Sequence, residues 1–216
     1  DAAWQKDGGH VVKTAAFGLP VRRSRDGRWK NFRPGEMVVY LFYIGLSACR
    51  GRVWRREAWE MIRLRRDLHL CFFTKRIDRL SECLPGDWGA GYEHVTIGCT
   101  VENQRMADYR LPIFQKLPIR HKIIVCAPLI GPIDLAPYLG PEIEQVSVGG
   151  ESGPEARVCD YAWVLSLRDQ CAEHDVSFCF HQTGARLLKD GRLYRIRRQF
   201  QHTQARKAGI DFKVGG

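Results

Sequence analysis

The residues best suited to chemistry in this 216-residue chain stand just after short apolar runs. IEQVSVG (143–149) leads into Gly149-Gly150-Glu151-Ser152-Gly153, with Arg157 close behind. Paired glycines let a backbone approach a ligand and offer amide N–H groups to a carboxylate or phosphate, while Glu151 could hold an ammonium or a ribose hydroxyl. The spacing is neither that of a dinucleotide-binding loop nor that of a P-loop, and a plain tight turn would use the same glycines. LHLCFFT (68–74) ends in Thr74, then Lys75, Arg76, Asp78 and Arg79, which offer cations to an anionic ligand or else begin a helix with surface charges. HVTIGCT (94–100) is followed by Glu102, Asn103 and Gln104; these suit a cavity wall, or a helix start capped by Thr100. VSFCFHQ (176–182) ends in His181 and Gln182, then Thr183 and Gly184. His181 is a candidate acid–base group, although a lone histidine is more often structural. There is no Ser–His–Asp order, paired-carboxylate motif or HExxH, so hydrolase chemistry is not indicated.

Eight cysteines stand at 49, 71, 83, 99, 126, 159, 171 and 179, the closest pair eight residues apart. No CxxC or CxxxC knuckle exists for zinc or an iron–sulfur cluster, so no metal ligands are assigned. Several lie inside apolar runs, as in HLCFF and IIVCA, which is how reduced thiols serve as small hydrophobic side chains. A net charge of +10 favours an anionic partner. The basic residues bunch at 21–33, at 50–59 with RLRR at 63–66, and at 192–207, each interleaved with aromatics as nucleic-acid surfaces often are; the alternative is a solvated basic face. Arg195, Arg197 and Arg198 are the candidate nucleic-acid contacts. No apolar run approaches the roughly 18 residues of a membrane span, and the polar start DAAWQKDGGH does not read as a signal peptide, so a cytoplasmic location is expected.

The elements that must position these residues follow a rhythm. Residues 1–36 read as irregular, with one hairpin turning at Asp26-Gly27. Six strands are expected at 37–43, 68–74, 94–100, 122–128, 143–149 and 176–182. Helical segments separate most of them. REAWEMIRLRR (56–66) groups Ala58, Met61, Ile62 and Leu64; 101–117 is broken or kinked at Pro112; 160–174 groups Trp163, Val164, Leu167 and Cys171 behind Asp160 as N-cap. Continuously apolar strands alternating with helices imply a parallel sheet covered on both faces, either a doubly wound open sheet or a β/α barrel, with ligands beyond the carboxyl ends of the strands. Residues 184–200 read as an appended hairpin turning at Lys189-Asp190-Gly191, and the tail after it as extended or frayed. The whole chain, 1–216, reads as one domain.

Taken together, FFTKRIDR, VTIGCTVENQRMADYRLP, PLIGPIDL, QVSVGGESGPEARVCDYAWVLSLRDQC and VSFCFHQTG resemble a phage and prophage family of unknown function, the Gp thirty-seven/sixty-eight or three-cysteine-motif group, over about Val11 to Phe212. The resemblance implies a radical-SAM-like, TIM-barrel-related partial β/α barrel. Its members carry a CxxxCxxC loop that would ligate a [4Fe–4S] cluster and cleave S-adenosylmethionine. By the same resemblance Thr74, Lys75, Arg76, Glu102, Asn103, Gly149, Gly150, Glu151, Ser152 and Gln182 would line the cofactor cavity.

Three departures accompany it. The chain starts just after the expected cysteine loop, so as given it is expected to hold no cofactor and to be inactive. Ala127-Pro128-Leu129-Ile130 stands where members have Glu-Pro-Leu-Leu, and His181 where they have lysine. Residues 41–53 do not resemble the acidic Ser-Asp stretch of the family, as a local frame slip would produce. Three readings follow: a radical-SAM-type protein lacking its cluster loop, a nucleic-acid-binding phage protein that is not an enzyme, and a stable inactive relic.

Overall fold

A computed structural model describes residues 4–7, 10–13, 17–41 and 52–215. The chain divides into two compact units, Asp1–Thr96 and Ile97–Gly216, with the division inside a strand. Because a parallel strand pair requires a crossover, the alternation of apolar runs and helical segments sets the architecture of each unit.

In the first unit β1 (Trp4–Asp7) and β2 (His10–Lys13) form an antiparallel pair that the sequence reading missed in its irregular 1–36 segment. The expected turn at Asp26-Gly27 is present: Gly27 has φ +82°, Arg23 bridges Trp29, and Lys30 N–H donates to Arg22 O. β3 (Met37–Leu41) lies parallel to β4 (His69–Thr74), and α1 (Arg52–Leu64) intervenes. Residues 42–51, which include most of the anomalous 41–53 stretch, lie outside the described residues.

On α1, Ala58, Trp59 and Ile62 are buried, but Leu64 is 57% exposed and leaves the apolar stripe assigned to it. Trp59 packs among Phe72, Trp88 and Tyr92 and donates from Nε1 to Cys83 O at 2.7 Å. The RLRR motif is not a surface patch throughout. Arg65 is 1% exposed; it donates to Pro20 O and Phe32 O, forks onto Asp67 at 2.8 and 2.9 Å, and lies over the Trp29 ring. A buried guanidinium is tolerable only with such a full set of acceptors, and here they fasten the irregular segment down.

In the second unit the order follows the chain: the end of β5 (Val95–Thr100), then β6 (His121–Cys126), β7 (Ile143–Gly149) and β9 (Ser177–Gln182). β6 with β7 and β7 with β9 are parallel. The near-continuous burial of β5 and β6 explains why their sequences do not alternate.

α2 (Gln104–Lys116) runs unbroken through Pro112. α3 (Tyr161–Glu173) buries Val164, Leu167 and Cys171, with Asp160 Oδ1 accepting from Ala162 N–H as the expected cap. The two-residue β8 (Cys159–Asp160) pairs with β10 (Arg186–Lys189), which turns antiparallel into β11 (Arg192–Arg195). The turn is Asp190-Gly191 at φ +51° and +71°, the left-handed pair a two-residue hairpin demands.

The tail is neither extended nor frayed from there. α4 (Arg198–Lys207) is helical and buries Gln201 and Ala205, and Phe212 then bridges Phe178. No helix among the described residues is long and apolar enough to cross a membrane.

Candidate functional site

Within the second unit, the carboxyl ends of β5, β7 and β9 are knitted together by backbone. The loop after β6 donates from Leu129 N–H to Gly149 O and from Ile130 N–H to Glu102 O, at 2.8 and 3.0 Å. β9 bulges against β7: Val148 pairs with Phe180 and Gly149 with Gln182, leaving His181 as the extra residue. Its ring takes the space of an absent side chain, since a Cβ on Gly149 would meet Cε1 and Nε2 of His181 at 2.5 Å. His181 Nδ1 shares a 3.2 Å hydrogen bond with Ser147 Oγ, and His202 Nδ1 donates to His181 O at 2.7 Å. Burial, reinforced by His202, lowers the His181 pKa to about 4, so the ring is neutral at neutral pH.

The glycine pair is used by the fold. Gly150 N–H donates to Gln182 O at 3.1 Å, and a Cβ on Gly150 would stand 2.3 Å from Thr183 O. Gly184, at φ +76°, closes the same contact from the other side, where a Cβ would meet Gly150 C at 2.7 Å. Gln182 Nε2 donates to Gly150 O at 2.7 Å, and Ala185 N–H to Glu151 O at 2.7 Å. The two chain segments approach so closely that only glycine fits at Gly150 and Gly184, and the Gly150 amide donates to the protein's own carbonyl.

The polar side chains expected here are likewise partnered. Glu151 is gripped by Arg157 through Nε and Nη2, both at 2.8 Å, with the Arg157 N–H adding 2.9 Å; this pairing is what raises the Arg157 pKa against its desolvation. Ser152 Oγ donates to Gln201 Oε1 at 2.6 Å. Gln201 is 2% exposed and donates to Ile196 O at 3.0 Å, so it holds α4 against the strand ends. Glu102 accepts from Arg110 Nη1 at 2.7 Å, each side chain 11% exposed, and the same nitrogen donates to Thr100 O. Arg110 Nε is buried with no hydrogen-bond partner among the described residues. Asn103, not Thr100, caps α2, accepting from Met106 N–H at 3.1 Å.

Thr74, Lys75 and Arg76 end β4 in the first unit, where Thr74 Oγ1 accepts from Arg76 N–H at 3.0 Å and Arg76 forks onto Asp78. Arg195, Arg197 and Arg198 are all exposed, at the end of β11 and the start of α4. No group of three or more His, Cys, Asp or Glu that could hold a metal occurs among the described residues.

The model of a family described as a protein of unknown function, DUF5131, matches residues 50–212. The chain belongs to DUF5131. No curated protein and no solved structure matches it. The family match ends at the same Phe212 that bridges β9, so α4 and the hairpin belong to the DUF5131 body. Residues 11–49, included in the sequence resemblance, lie outside the matched range.

The DUF5131 thiols are core side chains. Cys71, Cys83, Cys99, Cys126, Cys159 and Cys171 are buried and reduced, and Cys179 is half-buried. Burial pushes the thiols of Cys71, Cys99, Cys159 and Cys171 up to about 12. Cys49 lies outside the described residues.

Sequence reasoning missed one feature. A cleft of about 290 Å³ lies under the hairpin, lined by Tyr161, Phe180, Thr183, Leu187, Lys189, Tyr194, Ile196, Gln204, Lys207 and Ala208. The interleaved Lys, Arg and Tyr of 189–195 carried its signal, but the helix supplying its far wall had been read as tail.

Proposed function

We propose that this chain is a phage- or prophage-derived relative of radical S-adenosylmethionine enzymes, a partial β/α barrel whose strand ends face the nucleoside and amino-acid portions of that cofactor. The observation that carries the reading is the gathering of Glu102, Gly149–Ser152 and Gln182 at the carboxyl ends of β5, β7 and β9, where parallel α/β sheets bind ligands. When bound, a [4Fe–4S] cluster would supply the electron that cleaves S-adenosylmethionine. The described residues do not fit that cluster: their thiols are dispersed in the core and held protonated by burial, and no step is assigned to it. What this chain contributes is a rigid strand-end wall, with Glu151 and Arg157 as the charged pair nearest solvent.

Calorimetry with S-adenosylmethionine and S-adenosylhomocysteine tests this reading. The chain should bind both without iron, and Glu151→Gln, which releases Arg157, should weaken binding about tenfold. Absence of binding to either compound would remove the reading.

A second reading, a nucleic-acid-binding phage protein, is favoured by the exposure of Arg195, Arg197 and Arg198 on one continuous stretch of hairpin and helix. It requires association with DNA or RNA that weakens steeply from low to moderate salt.

A further inference from the structure

The cleft under the β10–β11 hairpin differs from the strand ends in one respect: apart from Thr183, whose hydroxyl donates to Gly184 O, several of its polar side chains are not consumed by the fold. Among the described residues, Lys207, Gln204 and the Tyr194 hydroxyl make no hydrogen bond or ion pair. The lining contains two lysines and two tyrosines and no carboxylate. Phe180, Leu187 and Ile196 supply its apolar surface. Cations already lie against the aromatic faces, Lys189 Nζ 5.0 Å from the centre of the Tyr161 ring and Arg192 5.1 Å from that of Tyr194. The Tyr194 side of the cleft is open, since that residue is 39% exposed. Residues 184–207 carry eight arginines and lysines against the single acid Asp190, and Lys189 and Lys207 of these line the cleft.

We propose that this cleft is a subsite for one nucleotide of a single-stranded nucleic acid. The proposal rests on the second reading above and deepens it. Aromatic rings beside lysines are what a strand without a partner requires: its bases are free to stack on a side chain, and its phosphates follow the cations. The volume is at the low end of small-ligand sites, about 300–1,000 Å³, which suits a single base and its sugar. A duplex keeps its bases stacked and paired, so it can meet the exposed arginines but cannot place a ring in the cleft. Tyr161 and Tyr194 would stack on the base, Lys189 and Lys207 would face the flanking phosphates, and the Gln204 amide is free to contact a base edge.

Fluorescence anisotropy with labelled oligo-dT, oligo-rU and a DNA duplex, using the full chain across a salt series, tests the assignment. At least one of the single strands should bind more tightly than the duplex. Tyr194→Ala should weaken that binding about tenfold, the scale of one lost base–aromatic stack. Tyr194→Phe should retain it, and Lys189→Ala with Lys207→Ala should reduce the salt slope by about one to two. Tyr194 and Lys207 are surface residues, and circular dichroism confirms that each variant is folded.

Equal binding by Tyr194→Ala and the wild type, or a duplex bound as tightly as a single strand, overturns the subsite. If binding survives Tyr194→Ala but is lost when Arg195, Arg197 and Arg198 become glutamate, the basic face stands and the cleft falls. If the wild type binds no oligomer even at low salt, both fall.

Discussion

The strand ends of the second unit and the cleft beneath its hairpin use similar residues to opposite ends. At the strand ends every group that resembled binding machinery has an internal partner: Glu151 has Arg157, Ser152 has Gln201, Gln182 has Gly150, and Glu102 has Arg110. In the cleft, the side chains of Lys207 and Gln204 and the Tyr194 hydroxyl have no hydrogen-bond or ion-pair partner among the described residues. A polar residue buried beside a sheet must be satisfied by the protein or by a ligand, whereas one at an open rim is satisfied by water until a ligand displaces it. The glycine-rich motif thus also serves packing, and the side chains without an internal partner lie where no recognisable motif stands.

Breaking the interior pair should cost most. Arg110→Met leaves Glu102 buried without its cation and should destabilise the protein by about 3–5 kcal/mol, read from urea denaturation. A loss below about 1 kcal/mol would mean that Glu102 is solvated and its region open. Next is Gly150→Ala. The added Cβ meets backbone that cannot swing aside, and the expected loss is about 3 kcal/mol in the same measurement. Tyr194→Ala, at the cleft, should stay within about 0.5–1 kcal/mol. Similar losses for the two variants would erase the contrast between packing device and open site.

A pH dependence is expected at the strand ends as well. His181 has a folded pKa near 4 against an ordinary value of 6.5, so between those values the unfolded chain binds a proton that the native state refuses. Stability should therefore be full above about pH 6.5 and fall as pH drops towards 4, by at most about 3 kcal/mol. In His181→Gln this component should vanish, which denaturation at pH 7 and pH 4.5 would reveal. An unchanged profile would place the His181 ring in solvent.

Much of this architecture could be read from residue patterns because burial imposed them. The six apolar runs became six strands with boundaries displaced by no more than two residues, apart from the expected end of the first at 42–43, which lies outside the described residues, and Asp160 and Asp190-Gly191 marked a cap and a turn by local chemistry alone. Tertiary partners erased the pattern elsewhere. Arg198–Lys207 lacks a broad apolar face because its anchor is an amide, Gln201, whose burial depends on Ser152 and Ile196 far away in the chain or at the preceding turn. Arg65 looks like any surface arginine until Pro20, Phe32 and Asp67 surround it. Asn103 displaced Thr100 as cap because Thr100 completes β5 before the helix begins. Gly149 and Gly150 do signal close approach, but what approaches is the protein's own chain, His181 and Gln182 at Gly149 and Thr183 and Gly184 at Gly150.

The sequestered thiols have a practical corollary. With pKa values near 12, Cys71, Cys99, Cys159 and Cys171 present oxidants with almost no thiolate at neutral pH, and peroxide or dissolved oxygen reacts chiefly with thiolate. These four side chains should survive aeration unmodified. A loss of function on exposure to air would then point to chemistry carried by something other than these four.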